Sequence, residues 1–315
     1  VSSRNTSSRN TSSHHTEPVP RRRRRFDDED ERSGPTARTS PVSDLDERAG
    51  HDPDAPPDGD RWSTWPSITA GCRGPRPWPS WLVTDAGAVD RERGVLKTGK
   101  EADVHLVERA LPGEDGVLLA AKRYRDPAHR LFHRDAGYLE GRRDRRSREN
   151  RAMARRTAVG RDLIATRWAD AEFGALTRLH EAGAPVPYPV SVSGTEVLME
   201  FVGSAGGTAA PRLAATRPDP DQLWTLWTVL GGALGTLADL GYAHGDLSAY
   251  NVLVHDGRPV LIDLPQVVDV IGNPQGPGYL DRDVTRIGEW FTARGLDPDE
   301  PERLRRELGE RARLR

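Results

Sequence analysis

Three polar residues at fixed spacing constrain this chain more than any other feature. Asp246 and Asn251 lie five positions apart in HGDLSAYN (244–251), and Asp263 follows Asn251 by twelve residues in LIDLPQ (261–266). A tight loop of that length lets a carboxylate point at a reacting group while the amide turns toward a metal. An aspartate closing a strand is a place where a hard oxygen donor meets magnesium. Between the two sites, VLV (252–254) and PVLID (259–263) predict a small hairpin. Phosphoryl transfer needs these groups and also a cation on the donor phosphates. Lys122, at the end of the strand-like GVLLAAKRY (116–124), supplies one if Glu172 holds it by a charge-assisted bond.

Each residue alone has a plainer reading. A strand lysine commonly snorkels at the surface, and an aspartate after a strand commonly shapes a turn. Order, spacing and residue type together select one chemistry. GKEAD (99–103), between two predicted strands, lays backbone amides and Lys100 over phosphates, although it lacks the Gly-x4-Gly-Lys-Ser/Thr form of the common nucleotide-binding loop. Lysine usage supports the same region. Of 46 basic residues only Lys97, Lys100 and Lys122 are lysines, all within one stretch of 26 residues. Where arginine supplies every other positive charge, a compact ammonium answers a local need, with chance clustering as the alternative.

Composition narrows the rest. The 46 basic and 48 acidic residues nearly cancel, which argues against a surface that coats nucleic acid throughout. One cysteine, Cys72, excludes an internal disulfide framework and a multi-cysteine zinc site. No stretch approaches the roughly 18 apolar residues of a membrane helix, and the polar N-terminus has no signal-peptide core. The expectation is a soluble, cytoplasmic protein without a membrane partner.

Residues 1–60 read as a disordered tail in which RRRRRF (21–26) and DDEDE (27–31) neutralise each other; His14 and His15 lack companions for a metal site. Residues 61–89 carry Trp62, Trp65, Trp78 and Trp81 among prolines and read as a linker or domain edge rather than a platform for bases. Residues 90–200 form a small lobe, 201–206 a hinge and 207–315 a helical lobe. In the small lobe, Val104 and Leu106 alternate against His105 and Val107, and PVPYPV (185–190) with EVLMEFVG (196–203) reads as a pair of edge strands. Trp168, Phe173, Leu176 and Leu179 mark an amphipathic helix with Glu172 beside its apolar stripe. DPDQLWTLWTVLGGALGTLADLG (219–241) predicts a long helix capped by Asp219 or Asp221 and ended by glycine after Leu240, followed by helices near 281–293 and 298–313. The arginine-rich stretch 142–156 reads as a connector with a solvated face, contact with a phosphate-rich substrate or RNA being the alternative. The fold class is therefore α+β and bilobal, with a small antiparallel sheet and a mainly helical second lobe, and ligands belong in the cleft between them.

These runs resemble the RIO-type atypical serine/threonine protein kinases. The matching motifs are TGKEADV (98–104), AAKRY (120–124), WADAEFGALTRL (168–179), VLMEFVG (197–203), HGDLSAYNVLV (244–254), LIDLPQ (261–266) and YLDRDVTRIGEWF (279–291). The resemblance implies a protein-kinase-like fold that binds ATP with magnesium, or manganese in its place, and has protein serine kinase or ATPase activity. It implies Lys122 as phosphate anchor, Glu172 as its partner, Asp246 as catalytic carboxylate, and Asn251 and Asp263 as metal ligands. Asp263 is also a candidate phosphoryl acceptor. Thr98, Gly99, Lys100 and Val104 would cover the nucleotide, and Met199, Glu200 and Val202 would line its adenine side. Ser147 is the serine of the arginine-rich run where autophosphorylation would fall. Association with ribosomes or RNA follows from the resemblance alone, and the protein substrate is unnamed by it.

The chain departs from the family pattern in two places. Ala249 stands where many relatives carry Glu, and no winged-helix pattern precedes residue 90. Heavy use of Arg, Ala, Asp and Gly, with Val1 as an apparent alternative start, suggests a bacterium of high GC content, for which a role in ribosome maturation is not assumed. Two other functions compete: a small-molecule phosphotransferase, which shares the His-Gly-Asp loop but not GKEADV or Asp-Leu-Pro-Gln, and a nucleotide-dependent scaffold or assembly factor with little turnover.

Overall fold

A computed structural model describes residue 56 and residues 59–125, 158–264 and 267–314. All belong to one compact unit, His51–Arg315. Residues 1–55 of the expected tail, the arginine-rich run with Ser147, and Pro265 and Gln266 lie outside the described residues.

The small lobe is a six-stranded antiparallel sheet. Its strands are β1 (Arg61–Trp62), β2 (Val89–Thr98), β3 (Ala102–Ala110), β4 (Val117–Tyr124), β5 (Pro189–Ser193) and β6 (Glu196–Glu200), in the order β1-β2-β3-β4-β6-β5. The order corrects one expectation. β6 is not an edge strand but pairs with β4 on one side and β5 on the other. Gly99 closes the β2–β3 turn, its N–H donating to Ala102 O at 3.0 Å, and an added Cβ there would sit 2.7 Å from that same oxygen.

Both faces of the sheet are covered, so simple alternation fails as a guide to burial. Helix α1 (Ala158–Glu181) packs Trp168, Phe173, Leu176 and Leu179 among Ala120, Tyr124, Val197 and Met199. On the opposite face, Trp65 and Leu82 of the tryptophan segment cover Val107, Leu119, Ala121, Val190 and Leu198. Val107 is therefore fully buried rather than turned to water. Edge-to-face contacts fix the cover: Trp65 on Trp78 at 5.0 Å, and Trp81 on Tyr188 at 5.8 Å, with the Tyr188 hydroxyl donating to Pro75 O at 2.7 Å. Arg109 lies two residues beyond Val107 on the same face. It makes a bidentate pair with Asp90 across the β2–β3 ladder, at 2.7 and 3.0 Å.

The first α-helix of the second lobe is α2 (Pro220–Asp239). Asp219 caps it: its carboxylate accepts from Gln222 N at 2.8 Å while Gln222 Oε1 accepts from Asp219 N, and the proline at the first turn needs no donor. Gly241, at φ 77°, ends the helical path and leads into β7 (Tyr242–Ala243). β8 (Val252–His255) and β9 (Arg258–Leu261) form the expected hairpin around Asp256 and Gly257, both at positive φ. β10 (Val268–Asp269) pairs back to β7, then α3 (Gly276–Thr292) and α4 (Glu300–Arg311) complete the lobe. Leu230, Leu234 and Leu237 of α2 bury against Ile287 and Phe291 of α3 and Leu308 of α4, with Trp227 edge-on to Phe291 at 5.1 Å. Among the described residues no helix is long and apolar enough to cross a membrane.

Candidate active site between the lobes

Strand period and helix period bring the first three charged groups together. Ala120, Lys122 and Tyr124 alternate onto the face of β4 that meets α1. On α1, Glu172 stands four residues from both Trp168 and Leu176, so the helix carries it into the buried stripe. There Lys122 Nζ donates to Glu172 Oε1 at 2.6 Å and to Asp263 Oδ1 at 2.7 Å. The other Glu172 oxygen accepts from the Tyr124 hydroxyl, and Leu264 N reaches Oε1 at 3.3 Å. Burial by itself would lower the Lys122 pKa, but the Glu172 and Asp263 carboxylates outweigh it and push the ammonium up to about 12. Burial likewise disfavours ionised Asp263, yet Lys122, Lys97 and His244 hold its carboxyl below the usual range. Both partners are therefore charged at neutral pH. Burial, then Glu172, raises the Tyr124 hydroxyl well above the ordinary phenol, so it stays a donor.

The catalytic-type loop is fixed from below. Asp283 of α3 is buried, and its carboxylate accepts from Gly245 N at 2.8 Å and Leu247 N at 2.9 Å. Gly245 adopts φ 87°, a conformation a side chain rarely takes. His244 is also buried, with Nε2 3.1 Å from Ile262 O, joining the loop to the segment that carries Asp263. Asn251 Nδ2 donates to Asp246 O at 2.9 Å, which spends its amino group and leaves its carbonyl as the end suited to a cation. The Asp246 carboxylate accepts from Arg286 Nη1 of α3 at 2.9 Å. Asp263 itself sits at φ 67°, unusual for aspartate, immediately after β9 and Ile262.

These elements enclose a cavity of about 260 Å³. Of the residues expected from the sequence, Gly99, Lys100, Val104, Lys122, Glu172, Met199, Glu200, Val202 and Asp263 line it. Asp246 and Asn251 are not in the lining but are joined to each other within the loop. Thr98 is also outside it, with its side chain bonded to Asp103. The pattern overlooked Lys97 and Arg212, which do line the cavity, and the pairing partners Asp283 and Arg286. Lysine scarcity pointed to Lys97 without giving it a role. Asp283 and Arg286 stand in the YLDRDVTRIGEWF run three positions apart, a helical spacing that places both on one side of α3.

Comparison with known proteins places this geometry in context. The family model for the RIO domain matches residues 119–303. A RIO-type serine/threonine-protein kinase Rio1 from Haloferax volcanii is 38% identical over 221 residues, which is 69% of this chain and 69% of the relative. The serine/threonine-protein kinases rio2 and rio1 of Schizosaccharomyces pombe are 34% and 30% identical, over 50% and 39% of their own lengths, so the chain spans half or less of these fungal relatives. Among solved structures, the Rio2 kinase complex with ADP/Mg2+ and phosphoaspartate from Chaetomium thermophilum matches with a TM-score of 0.48 and 24% identity, covering 70% of this chain and 62% of that one. The composition suggests a bacterium, whereas the relative at 38% identity is archaeal.

Proposed function

Because the chain belongs to the RIO family of serine/threonine kinases, we propose that its cleft binds ATP with magnesium and that the γ-phosphoryl group passes to a serine hydroxyl of a protein. The observation that carries this reading is Lys122 Nζ bridging Glu172 and Asp263, at 2.6 and 2.7 Å, on the wall of the cavity. The residues fit the cofactor. Among the described residues no group of three or more His, Cys, Asp or Glu forms a dedicated metal cage. Magnesium instead suits one or two oxygen donors completed by phosphates and water, and Asp263 with the Asn251 carbonyl supplies that set. Asp263 and the Asn251 carbonyl would hold magnesium, which would supply positive charge to offset that of the phosphates.

The chain's own groups do the rest. Lys122, kept protonated by its two carboxylates, anchors phosphate oxygens, and Glu172 fixes its direction. Gly99 and Lys100 cover the phosphates from the β2–β3 turn, while Val104, Ala120, Met199 and Leu253 offer apolar walls to the base. Asp246 accepts the proton of the attacking hydroxyl, and Arg286 holds the carboxylate in place by one bond. In this proposal the reaction runs in the cytoplasm, where ATP is supplied.

The test is incubation of the purified protein with γ-labelled ATP and magnesium beside Asp246→Ala and Asp263→Ala variants, following protein-bound label and free phosphate. Acid-stable label that both variants lose supports serine transfer. Acid-labile label lost with Asp263→Ala assigns the acceptor to that aspartate, and free phosphate alone assigns it to water. ATP binding without any of these signals overturns the phosphotransfer reading.

A further inference from the structure

The three lysines of this chain converge on one space. Lys97, Lys100 and Lys122 all line the cavity, and Arg212 joins them from beyond the connector. Their surroundings differ. Lys122 is held by two carboxylates, but among the described residues neither Lys97 nor Arg212 has an ion-pair or side-chain hydrogen-bond partner. This contrasts with the arginines of the sheet: Arg109 is matched by Asp90, and Arg61 and Arg123 share Glu196. A half-buried cation in no direct ion pair is costly, and a fold keeps one where something else supplies more negative charge.

The two groups approach from separate lobes. Lys97 descends from β2 beside Leu96. Arg212 belongs to the segment held to β8 by the Arg212–Leu253 bridge and by Val254 N donating to Pro211 O at 2.8 Å. They sense one another across the gap. Burial first, then Arg212 and Lys122, push the Lys97 ammonium below its ordinary pKa, against the pull of Asp263 and Glu172. Lys97 lines the same cavity as Glu172 and Asp263, and four cations there, Lys97, Lys100, Lys122 and Arg212, confront the two carboxylates that already hold Lys122.

We propose that Lys97 and Arg212 are a two-sided anion clamp that grips the polyphosphate of a bound nucleotide from opposite lobes and makes the cleft selective for nucleoside di- and triphosphates. This rests on the nucleotide reading above. Lys122 with Glu172 and Asp263 anchors the phosphates at the back of the cleft. The clamp adds charge at the front, from residues the phosphate-covering turn does not include. Because one jaw belongs to the sheet and the other to the helical lobe, gripping a phosphate chain also draws the lobes together.

The experiment measures binding, not turnover. Wild type, Lys97→Met, Arg212→Met and Lys97→Arg are titrated calorimetrically with ATP, ADP, AMP and adenosine in the presence of magnesium, and their melting temperatures are recorded without nucleotide. The expected result is that each methionine variant weakens ATP and ADP by about tenfold, the scale of one charge-assisted contact, and leaves adenosine unchanged. Lys97→Arg retains most of the ATP affinity. Lys97→Met also melts higher without nucleotide at neutral pH. A lysine with a depressed folded pKa destabilises the folded chain while it is protonated, so this gain shrinks as pH rises toward the usual lysine value of about 10.4. Unchanged ATP binding in both methionine variants overturns the clamp while leaving the nucleotide reading intact. Equal losses for adenosine and ATP also overturn it, because the residues would then be packing groups. A wild type that binds none of the four ligands removes both readings.

Discussion

Replacing Asp90 by alanine strands a guanidinium in the interior of the small lobe. Arg109 and Asp90 are 0% and 1% exposed, and their bidentate bonds, at 2.7 and 3.0 Å, are the pair's principal compensation for leaving water. Arg109 Nη1 has no hydrogen-bond partner even with Asp90 in place, so the site has no spare acceptor to take over. Arg61, 3.4 Å from Asp90 and one-third exposed, keeps its own bond to Glu196 at 2.7 Å. Breaking one side of a buried pair costs about 3–5 kcal/mol, because the remaining charge stays desolvated. For a folded unit of this size that is a fall of about 6–20 °C in melting temperature. Urea unfolding followed by tryptophan fluorescence reads the cost as a shift in midpoint at constant slope. The Asp90→Leu/Arg109→Met double variant removes both charges, and it should recover most of the stability lost in the single variant. A single-variant cost below about 1 kcal/mol, or a double variant worse than the single, refutes the reasoning, since either means the arginine finds water or another acceptor.

The remaining expectations span chemistry, packing and pH. Arg286→Gln removes one bond that orients the Asp246 carboxylate, so kcat should fall about tenfold with the dissociation constant for ATP unchanged, and Arg286→Lys should restore part of it; steady-state kinetics beside calorimetry separate the two. Trp65→Ala opens a cavity over Val107 and Leu119 and should cost about 3–5 kcal/mol by urea unfolding. Asp263 has a depressed carboxyl pKa, so the stability it contributes is full above the unfolded value of about 3.9 and is lost as pH falls through the lower folded value. The stability difference between wild type and Asp263→Asn should accordingly stay flat above about pH 5 and shrink below about pH 4.

The sequence made the back of the cleft legible because its residues sit on regular elements or in a loop of fixed length. A period of two carries Lys122 inward, a period of 3.6 carries Glu172 to meet it, and the hairpin β8–β9 returns the chain so that Ile262 N, next to Asp263, donates to Asn251 O at 3.1 Å. Lys97 was not legible in the same way. The β2–β3 register shifts between Glu92 and Gly94 and again between Val95 and Lys97, and each irregularity breaks the alternation that tells which way a side chain points. Arg212 follows a connector folded on itself through the Gly203–Ala209 bridge, which no local pattern announces. Val107 misled for another reason: a strand covered on both faces has no polar side to read, and its cover comes from a tryptophan segment that reads as a linker or domain edge. Arg286 and Asp246 meet across 40 positions, a distance over which only the packed fold decides pairing.

Asp283 and Arg286 have a consequence for how the loop can move. One grips the main chain at Gly245 and Leu247, the other the carboxylate of Asp246 between them, and the two are one turn apart on the same helix. The loop is thereby clasped at three successive residues by a single rigid rod. The same helix thus restrains both the path of the loop and the Asp246 carboxylate. Backbone and carboxylate shift as one body with α3, like a key cut into the end of a shaft. Because that shaft is anchored through Phe291 and Ile287 in the core of the helical lobe, the position of the Asp246 loop is tied to the packing of that core.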